Sequence, residues 1–254
     1  MTAPLDGRTA VVTGAGRGIG RALAAELARA GATVALVARS ADQLDATAAL
    51  VHELGARALS MPTDLADPTD LEGLLDRLAH EAGDVDVLVN NAAVVQPLGS
   101  SLDVSPGEWA HSLMLNVVAV ARLSSALAAG MVARGWGRIV NVSSGVVGRP
   151  GSMVGGNAYV TGKAAIEAHT VNLAAELAGT QVTVNAYRPG SVDTAMQQSI
   201  RERAGGPVDR ALAERFRGFY AAGSLISPEE SARVLMSRLL RTETGQVWDV
   251  QDPL

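Results

Sequence analysis

The chain has 254 residues, of which 48% are hydrophobic and 19% charged. That is ample material for a buried core, and it excludes disorder as the main state. A net charge of −5, with 21 basic and 26 acidic residues and no basic cluster, argues against nucleic acid or an anionic membrane as partner. The absence of cysteine excludes disulfides, thiol nucleophiles and Cys-ligated metals.

Taken in chain order, β-branched apolar runs alternate with alanine- and leucine-rich stretches. Thr9–Thr13 reads as a strand and Gly18–Ala30 as a helix closed by Gly31. Thr33–Val37 is a second strand, and Ser40 with Gln43 forms a capping box for a helix ending near Gly55. Ala56–Ser60 is a short third strand. Asp67 followed by Pro68 is an N-cap with proline at the first helical position, opening a helix that stops at Gly83. Val85–Val89 is the fourth strand, and Ser105-Pro106-Gly107-Glu108 caps a long helix reaching about Arg134. Arg138–Val142, Val182–Asn185 and Gln246–Val250 complete seven strands. Helices at Asn157–Ala178 and after Ser227-Pro228-Glu229-Glu230 lie between them.

Continuous apolar strands alternating with helices indicate an α/β fold, a parallel sheet with helices on both faces. One domain over residues 1–254 is expected, with the least regular stretch, 195–225, as a lid. The most apolar segment, Leu113–Val132, is broken by Asn116, Arg122, Ser124 and Ser125, short of the ~18 uninterrupted apolar residues of a membrane span. With no signal-like apolar stretch at the start, a cytoplasmic protein is expected.

Two local patterns carry chemistry. Thr13-Gly14-Ala15-Gly16-Arg17-Gly18-Ile19-Gly20 follows a strand and opens a helix. Glycine there allows a tight turn and close backbone approach to a pyrophosphate, which the helix N-terminus then faces. Turns use glycine anyway, so the strand-before, helix-after context carries the reading. Tyr159 and Lys163 are four apart at the start of a helix and share a face. A tyrosine hydroxyl ionises at about 10, and a neighbouring ammonium favours the phenolate, which suits general acid–base work. The four histidines (His52, His80, His111, His169) are scattered over helices without metal-ligand spacing, and no metal is expected. No G-x-S-x-G elbow occurs.

The ordered set of Gly14 to Gly20, Asn90-Asn91-Ala92-Ala93, Asn116, Ser143-Ser144, Tyr159-x-x-x-Lys163 and Pro189-Gly190 resembles the short-chain dehydrogenase/reductase family across about Asp6 to Val250. The resemblance implies a Rossmann-type, doubly wound sheet and hydride transfer between nicotinamide and a carbonyl or hydroxyl group. It implies a proton-transfer set of Asn116, Ser144, Tyr159 and Lys163. Ser144 would bond the substrate oxygen, Tyr159 would donate the proton, Lys163 would hold the nicotinamide ribose and lower the tyrosine pKa, and Asn116 would hold a water. Ser144 is chosen over Ser143 by the family pattern and because adjacent strand side chains face opposite ways.

Coenzyme contacts implied by the same resemblance are Gly14, Arg17, Gly18, Ile19, Gly20, Arg39, Asp64, Leu65, Asn90, Ala92, Tyr159, Lys163, Pro189, Gly190, Val192 and Thr194. Asn90 would steady the glycine turn. Ala38 stands at the end of the second strand, where an NAD-preferring site carries an acid. Its absence, with Arg39 and Arg17 nearby, points to NADP(H) over NAD(H). A ketone or 3-oxoacyl-type substrate is expected, in a pocket made apolar by Val94, Val95, Val146, Val147, Met153 and Met196. Phe216, Phe219 and Tyr220 either close over the substrate or anchor the lid. The rival reading is a non-catalytic nucleotide-binding regulator on the same fold. The helix over 108–134 is apolar on more than one face, which suggests a homodimer or homotetramer.

Overall fold

Seven strands line up in the order β3-β2-β1-β4-β5-β6-β7, every neighbouring pair parallel. They are β1 (Thr9–Thr13), β2 (Thr33–Ala38), β3 (Ala58–Pro62), β4 (Val87–Asn90), β5 (Gly137–Val142), β6 (Val182–Arg188) and β7 (Val247–Asp249). The computed structural model describes residues 3–253; positions 1, 2 and 254 of the expected 1–254 unit lie outside the described residues.

Strand alternation divides the core in two. Val12, Leu36, Val89 and Val140 face helices α1 (Gly18–Arg29), α2 (Ala41–Glu53) and α9 (Pro228–Leu239), meeting Leu23, Leu27, Leu44 and Leu235. Val11, Val37, Leu88 and Ile139 face the other way, onto α3 (Pro68–Arg77), α5 (Ala119–Arg134) and α6 (Asn157–Glu176), meeting Leu74, Leu123, Met131 and Leu173. Both faces are therefore covered, and the strands read as unbroken apolar runs. The chain moves outward from β1 to β3 and then returns to place β4 beside β1. The crevice at this reversal, outside the strands' carboxyl ends, is where such sheets bind ligands.

Several local expectations shift. β3 begins two residues later than read, because Gly55 (φ +82°) ends the α2 turn and pairing starts at Val34–Ala58. Ser40 caps α2 by accepting from Gln43 N at 3.4 Å. The Gln43 side chain lies against Gly16 rather than returning to close a box. The Ser105–Glu108 box is complete, with bonds in both directions at 3.2 and 3.0 Å. The long helix it opens is three pieces: α4 (Pro106–Leu113), a π-helical turn (Met114–Val118) and α5. By length and mean hydropathy (1.6 over 18 residues) the stretch 106–134 passes a test that membrane spans and core helices share. Here it is a layer packed on the sheet. The stretch 195–225 is also more regular than expected, forming α7 (Ala195–Arg201) and α8 (Pro207–Ala221).

One polar chain crosses the second core. Asn90 Nδ2 donates to Ser124 Oγ (3.1 Å) and to Asn141 Oδ1 (2.9 Å). Asn141 Nδ2 donates to Thr170 Oγ1 (2.9 Å), whose hydroxyl donates to Ile166 O (2.6 Å). All four side chains are at most 2% exposed.

Candidate active site

The glycine turn between β1 and α1 is held from beneath. Arg21 Nη2 donates to Gly16 O (2.6 Å) and Thr47 Oγ1 to Ala15 O (3.0 Å). Gly14 and Gly18 have positive φ, +67° and +55°, a region only glycine enters freely. A Cβ on Gly14 would strike Asn91 and Ala92, and one on Gly20 would strike the Gly14 carbonyl. Glycine is thus required here by both conformation and space.

Above this turn opens a cleft of about 360 Å³. Gly14, Arg17, Gly18, Ile19, Arg39, Asp64, Leu65, Ala92, Pro189 and Thr194 line it, as do Tyr159 and Lys163 at its inner end. Gly20, Asn90, Asn116, Ser144, Gly190 and Val192 lie outside the lining, and Val192 is buried where it bridges Ile226. Asn90 departs from expectation. As the last residue of β4 it points inward to Ser124 and Asn141. Asn91 is the one that grips the turn, donating from Nδ2 to Thr13 O (2.9 Å), while Thr13 Oγ1 receives Asn91 N and Ala92 N. The pairing of Asn90 with Asn141 across β4 and β5, with the alternation of side chains, places the two asparagines on opposite faces. Gln43 and Thr63 also line the cleft and carry no sequence pattern that singles them out.

At the inner end Tyr159 is 9% exposed and Lys163 3%. Lys163 Nζ donates to Val142 O at 2.7 Å and lies 5.7 Å from the Tyr159 ring centroid. Burial pushes the Tyr159 hydroxyl above its ordinary value, and a hydrogen bond with Ser144 partly offsets that rise. The expected lowering by Lys163 is absent from this structure, where the ammonium is turned to the Val142 carbonyl. Burial instead brings Lys163 itself down to about 8. Ser144 is half-buried beside Tyr159 and caps the short 3₁₀ turn Gly145–Gly148, accepting from Val146 N. Ser143, not Ser144, is among the residues lining the cleft, but its hydroxyl is engaged, donating to Glu167 Oε1 at 2.6 Å.

Asn116 sits in the π turn, fully buried. Its Oδ1 accepts from Val94 N (3.0 Å) and its Nδ2 donates to Val94 O (2.9 Å) and Ser112 Oγ (3.2 Å). Both amide protons are spent, so the side chain could hold a water only through the second lone pair of Oδ1.

Of the residues expected to make the pocket apolar, Val94 and Met196 line the cleft, and an apolar cluster packs beside it. Val95, Leu98 and Met153 pack with Tyr159 and with Ile200, Leu212 and Phe216 from α7 and α8; Val146 and Met196 lie against them. Phe216 is an anchor of this lid, with Phe219 edge-on at 5.9 Å. Tyr220 is 58% exposed, beneath the Arg201 guanidinium at 4.4 Å.

A parallel α/β crevice with a glycine turn at one end and a buried Tyr–Lys pair at the other is the site of a nucleotide-dependent oxidoreductase. The family model described as short chain dehydrogenase matches residues 8–205. The short-chain reductase protein NovJ of Streptomyces niveus is 37% identical over 96% of this chain and 95% of its own length. The 3-oxoacyl-[acyl-carrier-protein] reductase FabG of Pseudomonas aeruginosa is 34% identical, covering 91% of this chain and 89% of its own. Among solved structures, an NAD(P)-dependent gluconate 5-dehydrogenase from Beutenbergia cavernae, with NADP bound at low occupancy, superimposes with a TM-score of 0.85. It is 36% identical, over 98% of this chain and 97% of that one. The chain belongs to the short-chain dehydrogenase family, and it is a nicotinamide-dependent oxidoreductase of CH–OH and C=O groups.

Proposed function

We propose that the protein is an NADPH-dependent reductase of apolar ketones, including 3-oxoacyl-type substrates. The observation that carries this reading is the convergence of Tyr159 and Lys163 on the inner end of the cleft that opens on the glycine turn. FabG enzymes among the relatives bear the name of 3-oxoacyl reductases, and Val94, Leu115 and Met196 in the cleft lining suit an apolar chain.

The cradle fits a dinucleotide, since the glycine turn at the N-terminus of α1 lines the cleft and backbone N–H groups at such a terminus face an anion. Gly14, Gly18, Ile19, Ala92 and Gly20 shape that cradle. Asp64 and Leu65 bound the adenine end. Pro189, Gly190, Val192 and Thr194 form the segment that receives the carboxamide. Arg17 and Arg39 are exposed, and their side chains make no hydrogen bond or ion pair among the described residues. With Ala38 ending β2 in place of an acid, they are available to a 2′-phosphate. When bound, the nicotinamide supplies the hydride.

Tyr159 gives its hydroxyl proton to the substrate oxygen, and Ser144 bonds the same oxygen. A hydroxyl kept protonated by burial is suited to that donation. Lys163, bonded here to Val142 O, would hold the coenzyme ribose when it is bound, and its positive charge favours the Tyr159 phenolate left after proton transfer. Asn116 holds the π turn against Val94, and with it the wall of the site. The rival of a non-catalytic sensor is not favoured, since such a protein need not keep these four residues. The whole chain forms one catalytic unit with a lid over 195–225, acting as a cytoplasmic homodimer or homotetramer without nucleic acid or membrane partner.

Tyr159→Phe tests the reading. Turnover of a carbonyl panel, followed at the nicotinamide absorbance, falls by about 10²–10⁴ while coenzyme still binds. Activity within a few-fold of the parent would overturn the assignment.

A further inference from the structure

Behind the proton-transfer residues, α6 meets the end of β5 side chain by side chain. Thr170 accepts from Asn141 Nδ2 (2.9 Å), Lys163 donates to Val142 O (2.7 Å) and Glu167 accepts from Ser143 Oγ (2.6 Å). Tyr159, Lys163, Glu167 and Thr170 share one face of α6 because they are spaced by four, four and three. Arg188, the last residue of β6, closes on Glu167 with two parallel bonds of 2.8 Å, Nε to Oε1 and Nη2 to Oε2. Such a fork fixes the carboxylate in direction as well as place. Glu167 is 9% exposed and Ser143 2%. No step proposed above uses Glu167, Arg188 or Ser143.

Ser143 is where the sheet ends, its N–H donating to Tyr187 O at 2.7 Å. The next residue but one is Gly145, around which there is open space, so packing at that glycine does not orient Ser144. Adjacent side chains of extended chain face opposite ways. A hydroxyl of Ser143 held inward therefore turns Ser144 outward, toward Tyr159. We propose that Glu167, braced by Arg188, is a positioning residue that sets the Ser144 hydroxyl by gripping Ser143. This inference rests on the function proposed above.

Ser143→Ala, Glu167→Ala and the double variant test it in the full chain. Ser143→Ala removes one oxygen and leaves the ion pair intact. In Glu167→Ala, the Arg188 side chain, 24% exposed, can turn to water. Kinetics with NADPH, coenzyme affinity from nicotinamide fluorescence and the Tyr159 ionisation from tyrosinate difference absorbance, with Tyr159→Phe as blank, are measured on each. The charged and hydrogen-bonding groups facing Tyr159 are Lys163 on its own helix and Ser144 from the end of β5. Each single variant loses about ten- to a hundred-fold in kcat with coenzyme affinity unchanged. The double variant is no worse than Glu167→Ala. The Tyr159 ionisation moves to higher pH, as it does in Ser144→Ala, because the Ser144 bond that lowers it is lost. A kcat within two-fold of the parent in Ser143→Ala, additive losses in the double variant, or an unmoved tyrosine ionisation would each sink the proposal. The titration needs no turnover, so a parent protein that reduced nothing would count against the proposed function and leave this test standing.

Discussion

Arg39 stands one residue past the end of β2, exposed and without a partner among the described residues, at the mouth of the adenosine end of the cleft. A charge-assisted bond to a phosphate is worth about 1.5–3 kcal/mol, and exposure holds the value near the lower figure, about ten-fold in affinity. Arg39→Ala therefore raises KM for NADPH by about ten-fold and leaves that for NADH nearly unchanged. Steady-state kinetics with both coenzymes check this, and equal weakening of the two would refute a 2′-phosphate contact. Lys163 is the residue whose burial is least comfortable. Its shift from 10.5 to about 8 corresponds to about 3 kcal/mol against the charged form. The penalty is complete below pH 8, where folded and unfolded chains both carry the proton. It shrinks as pH rises from 8 to 10.5, where only the unfolded chain does, and is gone above. Lys163→Met, which gives up a hydrogen bond worth about 1 kcal/mol, should melt higher than the parent at pH 7 without coenzyme. At pH 10 the advantage should vanish; a constant difference across that range would contradict the assignment.

At the level of elements, the π turn at Met114–Val118 has the clearest consequence. Asn116 stands in for a strand neighbour, offering one acceptor and one donor to the backbone of Val94. Asn116→Ala leaves both Val94 groups unmatched, at about 1–3 kcal/mol for a buried group. At roughly 2–4 °C per kcal/mol for a chain of this size, thermal unfolding should move down by several degrees, with a loss of activity. An unchanged melting temperature would show that water replaces the amide without cost. The turn itself was not legible in the sequence, because helical periodicity over 106–134 barely differs between α and π geometry across five residues. What was legible were punctuation marks with a mechanism: Asp67 accepting from Thr69 and Asp70, the Ser105–Glu108 box and Gly179 after α6 at φ +85°. The choice of Asn90 over Asn91 failed for a related reason. Two identical residues at a strand end are separated only by which face each takes, and that depends on where β4 stops. The helices within 195–225 were not legible as a pattern because the apolar residues of α7 and α8 serve a small local cluster rather than the sheet.

For the whole molecule, a parallel sheet with both helix layers followed from alternation, the doubly wound form from the family resemblance, and the strand order only from the structure. Val118 and Val171, each 47% exposed, and Val132, 37% exposed, lie on the outward faces of α5, α6 and the turn before α5. They leave an apolar surface of the kind that marks a protein interface. In the proposed oligomer a second copy covers it. Val171→Arg should then lower the mass measured by light scattering at micromolar concentration, with coenzyme binding retained; a parent protein already monomeric there would refute the assembly.

The chain of Asn90, Ser124, Asn141 and Thr170 through the second core bears on how the sequence can drift. Each member satisfies another, so replacing one by an apolar residue strands its neighbour, at about 1–3 kcal/mol, in a protein whose total margin is of order 5–15 kcal/mol. Replacing all of them together with side chains of matching shape would be nearly neutral. Four positions far apart in sequence, on two strands and two helices, are thus bound into a single heritable unit: accessible routes away from it pass through weakened intermediates, and the arrangement persists because its parts cannot leave one at a time.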